Sequence, residues 1–491
     1  MKPNILVILA DQVVPFLTGP YGDPVAQTPN LDELSARGVR FDAAYTPVPL
    51  CSPARASFMA GRDASAMGCF DNASVMPADE PTMGHYLTNA GYETVLSGKM
   101  HFIGPDQLHG FRTRLTTDVF PAGVDWVPSV DENGKFPAGG HARHYAAPDP
   151  GVHSWTKFMA FDEETQFRAV EHLRERGRTN AAEPFAMVVS YHHPHDPFHV
   201  QRRFWDLYEG ADIPIPEYPE NLESTYSAMD RWANEAHYDL ADPDSMRQLR
   251  RAYYAALSYV DEKIGELIAV LRESGEWEDT LVVFSSDHGD MLGERGMVQK
   301  RCFYEWSARV PLVIRFPGDE HAGDVVTAPA SLIDLLPTLL DLVGVPASDR
   351  ALLDGRSVLP LIRPLGGDEA VDEVEDERVV FSEYHLEKVW APCFMVRRGR
   401  FKYIYIHGHD RQLFDLDDDP GEWRSLAGDP AHREVESELH SLLLGRFDPQ
   451  RLAEEGAASL RRREIIKPAM QRNGTHWDYT PVFDATRQYV R

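Results

Sequence analysis

The chain has 491 residues, 43% of them hydrophobic, and a formal charge of −28 from 77 acidic against 49 basic side chains. That balance argues against nucleic acid or an anionic membrane surface as partner, since both demand a basic face, and no run of about 18 apolar residues provides a membrane span. The length exceeds one ordinary domain, so a large core with a smaller appended unit is expected.

The four cysteines, Cys51, Cys69, Cys302 and Cys393, are widely spaced and form no CxxC pair. Reduced thiols are therefore expected, not a disulfide framework or a zinc ribbon. The apolar start of the chain ends at Asp11 with no secretory cleavage region behind it, which predicts a cytoplasmic protein.

In chain order, residues 4–10 form a continuous Ile, Val and Leu run, the pattern of a parallel strand covered on both faces. Asp11 then sits at the C-terminal end of a strand, where open α/β sheets bind ligands, and is a candidate metal ligand. Residues 28–38 read as a short helix stopped by Gly38.

The stretch Pro49-Leu50-Cys51-Ser52-Pro53-Ala54-Arg55 follows. Pro53 suits the first turn of a helix, so Cys51 is predicted at a helix N-terminus, where the amide dipoles favour negative charge, with Arg55 one turn on. Residues 81–101 read helix, Gly stop, strand, with Lys99 and His101 at the strand's exit. If the strand continues, the two point the same way, and together they suit binding of an anionic ester and protonation of its leaving group.

Residues 105–160 are rich in turns and aromatics, as an active-site cover is. A second buried strand, residues 185–191, runs into His192-His193-Pro194-His195-Asp196. Residues 245–274 form an amphipathic helix capped by Asp244-Ser245 and stopped by Gly275, and residues 280–285 a further apolar strand ending in Asp287-His288-Gly289. Asp11, Asp287 and His288, with an oxygen derived from Cys51, supply a mostly oxygen shell for a hard divalent cation. That favours Ca2+ over zinc, with Mg2+ or Mn2+ also compatible.

The acidic run 366–377 reads as an exposed connection. Short antiparallel strands with a tight turn at Arg398-Gly399 follow it, then a helix near 432–446. The expected domains are 1–365, catalytic, 378–465, smaller, and a tail at 466–491.

The Cys-x-Pro-x-Arg motif with Gly61-Arg62 behind it, the Lys99-x-His101 pair, Pro194-His195-x-Pro197, Asp287-His288 and Lys300 together resemble the sulfatase family of the alkaline phosphatase superfamily. The resemblance covers nearly the whole chain. It implies an α/β fold, with a large, mixed but mostly parallel sheet between helices and a smaller C-terminal α+β domain carrying an antiparallel sheet. It implies conversion of Cys51 to formylglycine by a formylglycine-generating enzyme, and sulfate ester hydrolysis. Catalytic roles fall on Cys51, Arg55, Lys99, His101, His195 and Lys300, with His193 as alternate to His195.

Residues 96–111, the segment 193–197 and the tail from Trp477 to Tyr489 are most similar to the branch of the family that cleaves choline-O-sulfate. That likeness assigns Asn72, Trp126, Glu387 and Asp484 to a substrate pocket, suited to a quaternary ammonium that only aromatic faces and carboxylates can hold. It also implies a homo-oligomer, a dimer or homotetramer, joined through the tail. The phosphonate monoester and phosphodiester hydrolases, which use the same motif, and a silent binder of sulfated ligands are the alternatives.

Overall fold

The computed structural model describes residues 2–127, 149–179, 181–233, 242–362 and 378–482. Its centre is the strand Asn4–Ala10, whose alternate residues point into two different cores. Ile5, Val7 and Leu9 join one apolar cluster and Leu6, Ile8 and Ala10 the other. The strands Phe185–Tyr191 and Thr280–Ser285, parallel to it on either side, divide in the same way, Val188 and Val283 to one core and Val189 and Phe284 to the other. This is why these segments read as unbroken apolar runs: neither face meets water.

Among the described residues the sheet has nine strands. Val39–Tyr45, Arg309–Arg315, Thr280–Ser285, Asn4–Ala10, Phe185–Tyr191 and Glu93–Gly98 form its middle in that order, with short strands at the edges. Arg309–Arg315 runs antiparallel to both of its neighbours and makes the sheet mixed. The helices Cys51–Ala60 and Leu335–Leu342 cover one face, and Lys157–Thr179 and Pro243–Glu273 the other.

A separate four-stranded antiparallel sheet, Val379–Tyr384, Cys393–Arg398, Phe401–Ile406 and Arg411–Asp415, carries a two-residue turn at Gly399-Arg400. One face, with Met395, Ile404 and Phe414, merges into the core of the large sheet. The other, with Phe394, Val396 and Tyr403, packs on Leu439 and Leu443 of the helix Arg433–Arg446. The mixed large sheet and the smaller antiparallel one match the expected fold class. All four cysteines are buried and free.

Two local expectations are corrected. The long helix begins at Pro243 and its N-cap is Asp242, which accepts from Ser245 N, so Asp244 lies inside the first turn. The strand after the helix Met83–Asn89 ends at Gly98 with φ +97°, so Lys99 and His101 do not share a pleated strand. The C-terminal helix Pro449–Asn473 is stopped by Gly474, at φ +61°. Within 105–160, residues 128–148 lie outside the described residues, as do 363–377, the connection, and 483–491, which include Asp484.

Candidate active site

Parallel strands deliver their C-terminal ends to one edge, so Asp11, Lys99, His192 and Asp287 emerge side by side although 276 residues separate the first from the last. The helix Cys51–Ala60 points its N-terminus at the same edge, with Leu50 as N-cap and Gly61 at φ +65° as its stop. Ligand atoms of Asp11, Cys51, Asp287 and His288 lie within 4.8 Å of one another, and all four residues are buried.

Arg55 ties this cluster together. Its Nε donates to Asp287 Oδ2 at 2.8 Å, its Nη2 lies 3.4 Å from Asp11 Oδ2, and Nη1 donates to Lys99 O at 2.6 Å and Ser190 Oγ at 2.8 Å. The Lys99 ammonium donates to the Asp11 carboxylate. Burial alone would raise Asp11, but the Lys99 ammonium and the Arg55 guanidinium hold its carboxyl well below the usual range.

The second oxygen, Asp11 Oδ1, is buried with no hydrogen-bond partner among the described residues. His288 Nδ1 lies 3.0 Å from Gly289 O, a carbonyl that only accepts, so the proton is on Nδ1 and the Nε2 lone pair faces Cys51 Sγ at 3.1 Å. Burial pushes this imidazole down to about 4, keeping it neutral as a metal ligand must be. Two carboxylates, one with an orphaned oxygen, and a neutral imidazole of fixed tautomer fit a divalent cation.

Lys300 stands on the other side. Its ammonium donates to Gln12 Oε1 at 2.6 Å and to His195 Nε2 at 2.8 Å, while His195 Nδ1 lies 2.8 Å from Asp196 O. Burial, with Lys300 and Lys99 nearby, pushes His195 well down, so it is neutral and its Nε2 already accepts a hydrogen bond from Lys300. His193 turns away, with Nδ1 2.6 Å from Asp162 Oδ2 and Nε2 2.9 Å from His199 O.

His101 is 1% exposed, and neither ring nitrogen has a hydrogen-bond partner among the described residues. Its ring lies 5.1 Å from Phe120 and 5.7 Å, edge-on, from Trp126. Asp118 fixes its backbone, with Oδ2 accepting from Met100 N at 3.0 Å and His101 N at 2.8 Å. Of the residues expected in the substrate pocket, Asn72 Oδ1 accepts from Ser52 N at 3.0 Å and its Nδ2 donates to Glu387 Oε2 at 3.1 Å.

Several neighbours were not assigned a place from the sequence. Gln12 donates to Asp290 and bridges to Lys300, and the Phe120 ring sits 4.5 Å from the Lys99 ammonium. Gln12 and Asp290 flank predicted residues and adjacency pointed to them, whereas Phe120 had no sequence signal. Left-handed backbone at Gln12, His101, Gln299 and Arg301, φ +71°, +54°, +65° and +81°, marks the turns that aim these side chains.

The sulfatase family model matches residues 3–345, and the model of the N-sulphoglucosamine sulphohydrolase C-terminal region matches 293–447. The chain is 39% identical to a choline-sulfatase of Rhizobium meliloti (strain 1021), over 100% of this chain and 96% of that one. It is 29% identical to the uncharacterized sulfatase YidJ of Escherichia coli (strain K12), over 91% and 87%. The crystal structure of the phosphonate monoester hydrolase of Agrobacterium radiobacter superposes with a TM-score of 0.72 at 25% identity, covering 90% of this chain and 95% of the other. With the matched region spanning the strands and the helix that converge on Cys51, the chain belongs to the sulfatase family, the sulfuric ester hydrolases of the alkaline phosphatase superfamily.

Proposed function

We propose that the site hydrolyses choline-O-sulfate to choline and sulfate, with Cys51 converted to formylglycine. The observation that carries this reading is the meeting of Asp11, Cys51, Asp287 and His288 within 4.8 Å, ringed by Arg55, Lys99 and Lys300. The 39% identity to a choline-sulfatase supports the substrate. A formylglycine at residue 51 would supply, as its hydrate, the nucleophilic oxygen for the sulfur of the ester. Asp11, Asp287, His288 and residue 51 would hold a divalent cation, calcium for this donor set with Mg2+ or Mn2+ as alternates, which would supply Lewis acidity.

The chain's own residues do the rest. Lys99 and Lys300 neutralise charge building on the sulfate oxygens. Arg55, whose hydrogen bonds go to Asp287, Lys99 O and Ser190, holds the two carboxylates in place. As the sulfur–oxygen bond to the alcohol breaks, His101 gives its proton to the leaving oxygen. Its ring nitrogens have no other partner among the described residues, while His195 already accepts from Lys300. Trp126, Asn72 and Glu387 are assigned to the pocket for the alcohol, and the same assignment takes in Asp484, which lies outside the described residues. A formylglycine-generating enzyme is the implied partner, and the reading carries with it a cytoplasmic, self-associating enzyme.

Cys51→Ala is expected to abolish sulfate release with the circular dichroism spectrum unchanged, and the wild-type peptide carrying residue 51 to weigh about 18 Da less than the thiol form. Normal sulfate release by the variant overturns the reading, and an unmodified Cys51 in an inactive protein points to a binder. Phosphonate monoester hydrolysis is the second reading, favoured by the superposition at 0.72. Turnover of a phosphonate ester in preference to choline sulfate selects it.

A further inference from the structure

Glu387 is the pocket carboxylate that a quaternary ammonium would seek, yet it already holds a cation. Arg301 Nη2 donates to Glu387 Oε1 at 2.7 Å and Nε to the same oxygen at 3.2 Å, while Nη1 donates to Gln299 Oε1 at 2.7 Å. The other carboxylate oxygen accepts from Asn72, which accepts in turn from the amide of Ser52. A continuous relay therefore runs from the residue after Cys51 to the residue after Lys300.

The side chains of Arg301 and Glu387 are 9% and 1% exposed. A charge pair so far from water is costly to separate, because either partner left behind is a buried, uncompensated charge. Burial alone would lower the Arg301 guanidinium, but Glu387, Tyr384 and Cys51 around it hold it above its ordinary value, so it stays charged. Left-handed backbone at Arg301, φ +81°, and at Lys388 beside Glu387, φ +63°, aims both partners at this pair.

We propose that Arg301 is a specificity-determining residue: by holding Glu387 it cancels the charge that would select a cationic alcohol, so the site takes neutral alkyl sulfates alongside choline sulfate. The inference rests on the reading of this site as a choline sulfate hydrolase. Among the described residues, recognition of the trimethylammonium group then falls on aromatic faces, which favour a cation less strongly than an uncompensated carboxylate does.

The test compares kcat/KM for choline sulfate with that for 3,3-dimethylbutyl sulfate, its uncharged isostere, in the wild type, Arg301→Met and the double variant Arg301→Met/Glu387→Gln. The ratio is expected to rise about tenfold or more in Arg301→Met, where Glu387 loses its guanidinium, and to stay within about threefold of wild type in the double variant. An unchanged or lowered ratio in Arg301→Met overturns the proposal. So does a double variant whose ratio collapses, which would mean that Glu387 reads the substrate's charge despite Arg301. The second comparison decides the matter alone if Arg301→Met does not fold. A wild type that cleaves neither sulfate but turns over a phosphonate ester refutes the functional reading itself, and the proposal with it.

Discussion

Arg463 lies 392 residues from Asp71, yet its Nη1 and Nη2 donate to the two oxygens of that carboxylate at 2.8 and 2.9 Å. The two side chains are 6% and 0% exposed. This fork pins the helix Pro449–Asn473 against the turn that presents Asn72 to the site. Asp71 has two further donors, Ala73 N at 3.0 Å and Ser74 Oγ at 2.9 Å, but neither brings a positive charge.

Arg463→Met strands a buried carboxylate, and one-sided removal of such a pair costs about 3–5 kcal/mol. Removing both charges in Asp71→Asn/Arg463→Met is expected to cost about 1 kcal/mol, because no uncompensated charge remains. The assay is a double-mutant cycle in urea, with protease sensitivity of the 449–473 helix followed in parallel. KM for choline sulfate in Arg463→Met is expected to rise with that sensitivity, through Asn72. A single variant that loses under about 1 kcal/mol, or a double as damaged as the single, refutes the reasoning.

The leaving-group role of His101 predicts that His101→Ala lowers kcat for choline sulfate by about 10²–10⁴, and kcat for 4-nitrophenyl sulfate far less, since nitrophenolate departs without a proton. Equal losses on both substrates remove the role. Asp261, raised to about 6 chiefly by burial while it accepts from Asn30 N and Leu31 N, prefers its protonated form in the fold. The folded state then binds more protons than the unfolded one between its ordinary value and about 6. Stability contributed by Asp261 therefore falls as pH rises through that window, and the Asp261→Asn difference curve should show that slope, a flat one sinking the prediction. Dialysis against a chelator is expected to silence the enzyme and Ca2+ to restore it, with metal content by mass spectrometry near one ion per chain. Full activity of a metal-free sample discounts the cation.

Much of the site was readable because its chemistry lies at punctuated positions. Asp11 and Asp287 each end an unbroken apolar run, and such a run in a covered parallel sheet ends at the ligand-binding edge. Cys51 was readable from Pro53 and the Ala-rich segment behind it, and Gly61 does stop that helix. The helices Lys157–Thr179 and Pro449–Asn473 were missed, their apolar residues diluted by charge, and the second contains Pro468 in its interior. The shared direction of Lys99 and His101 depended on the strand continuing, and left-handed backbone at Gly98 and His101 ends it instead.

By itself, the amino-acid order determined which residue types carry chemistry and which strands are buried, because hydrophobic periodicity and backbone restriction act over a few residues. Only the tertiary structure decided who pairs with whom: Arg55 with Asp287, Lys300 with His195, Arg301 with Glu387, Arg463 with Asp71. Such pairs form across tens to hundreds of residues, and charge interactions depend on distance and burial in space, which the linear order does not contain.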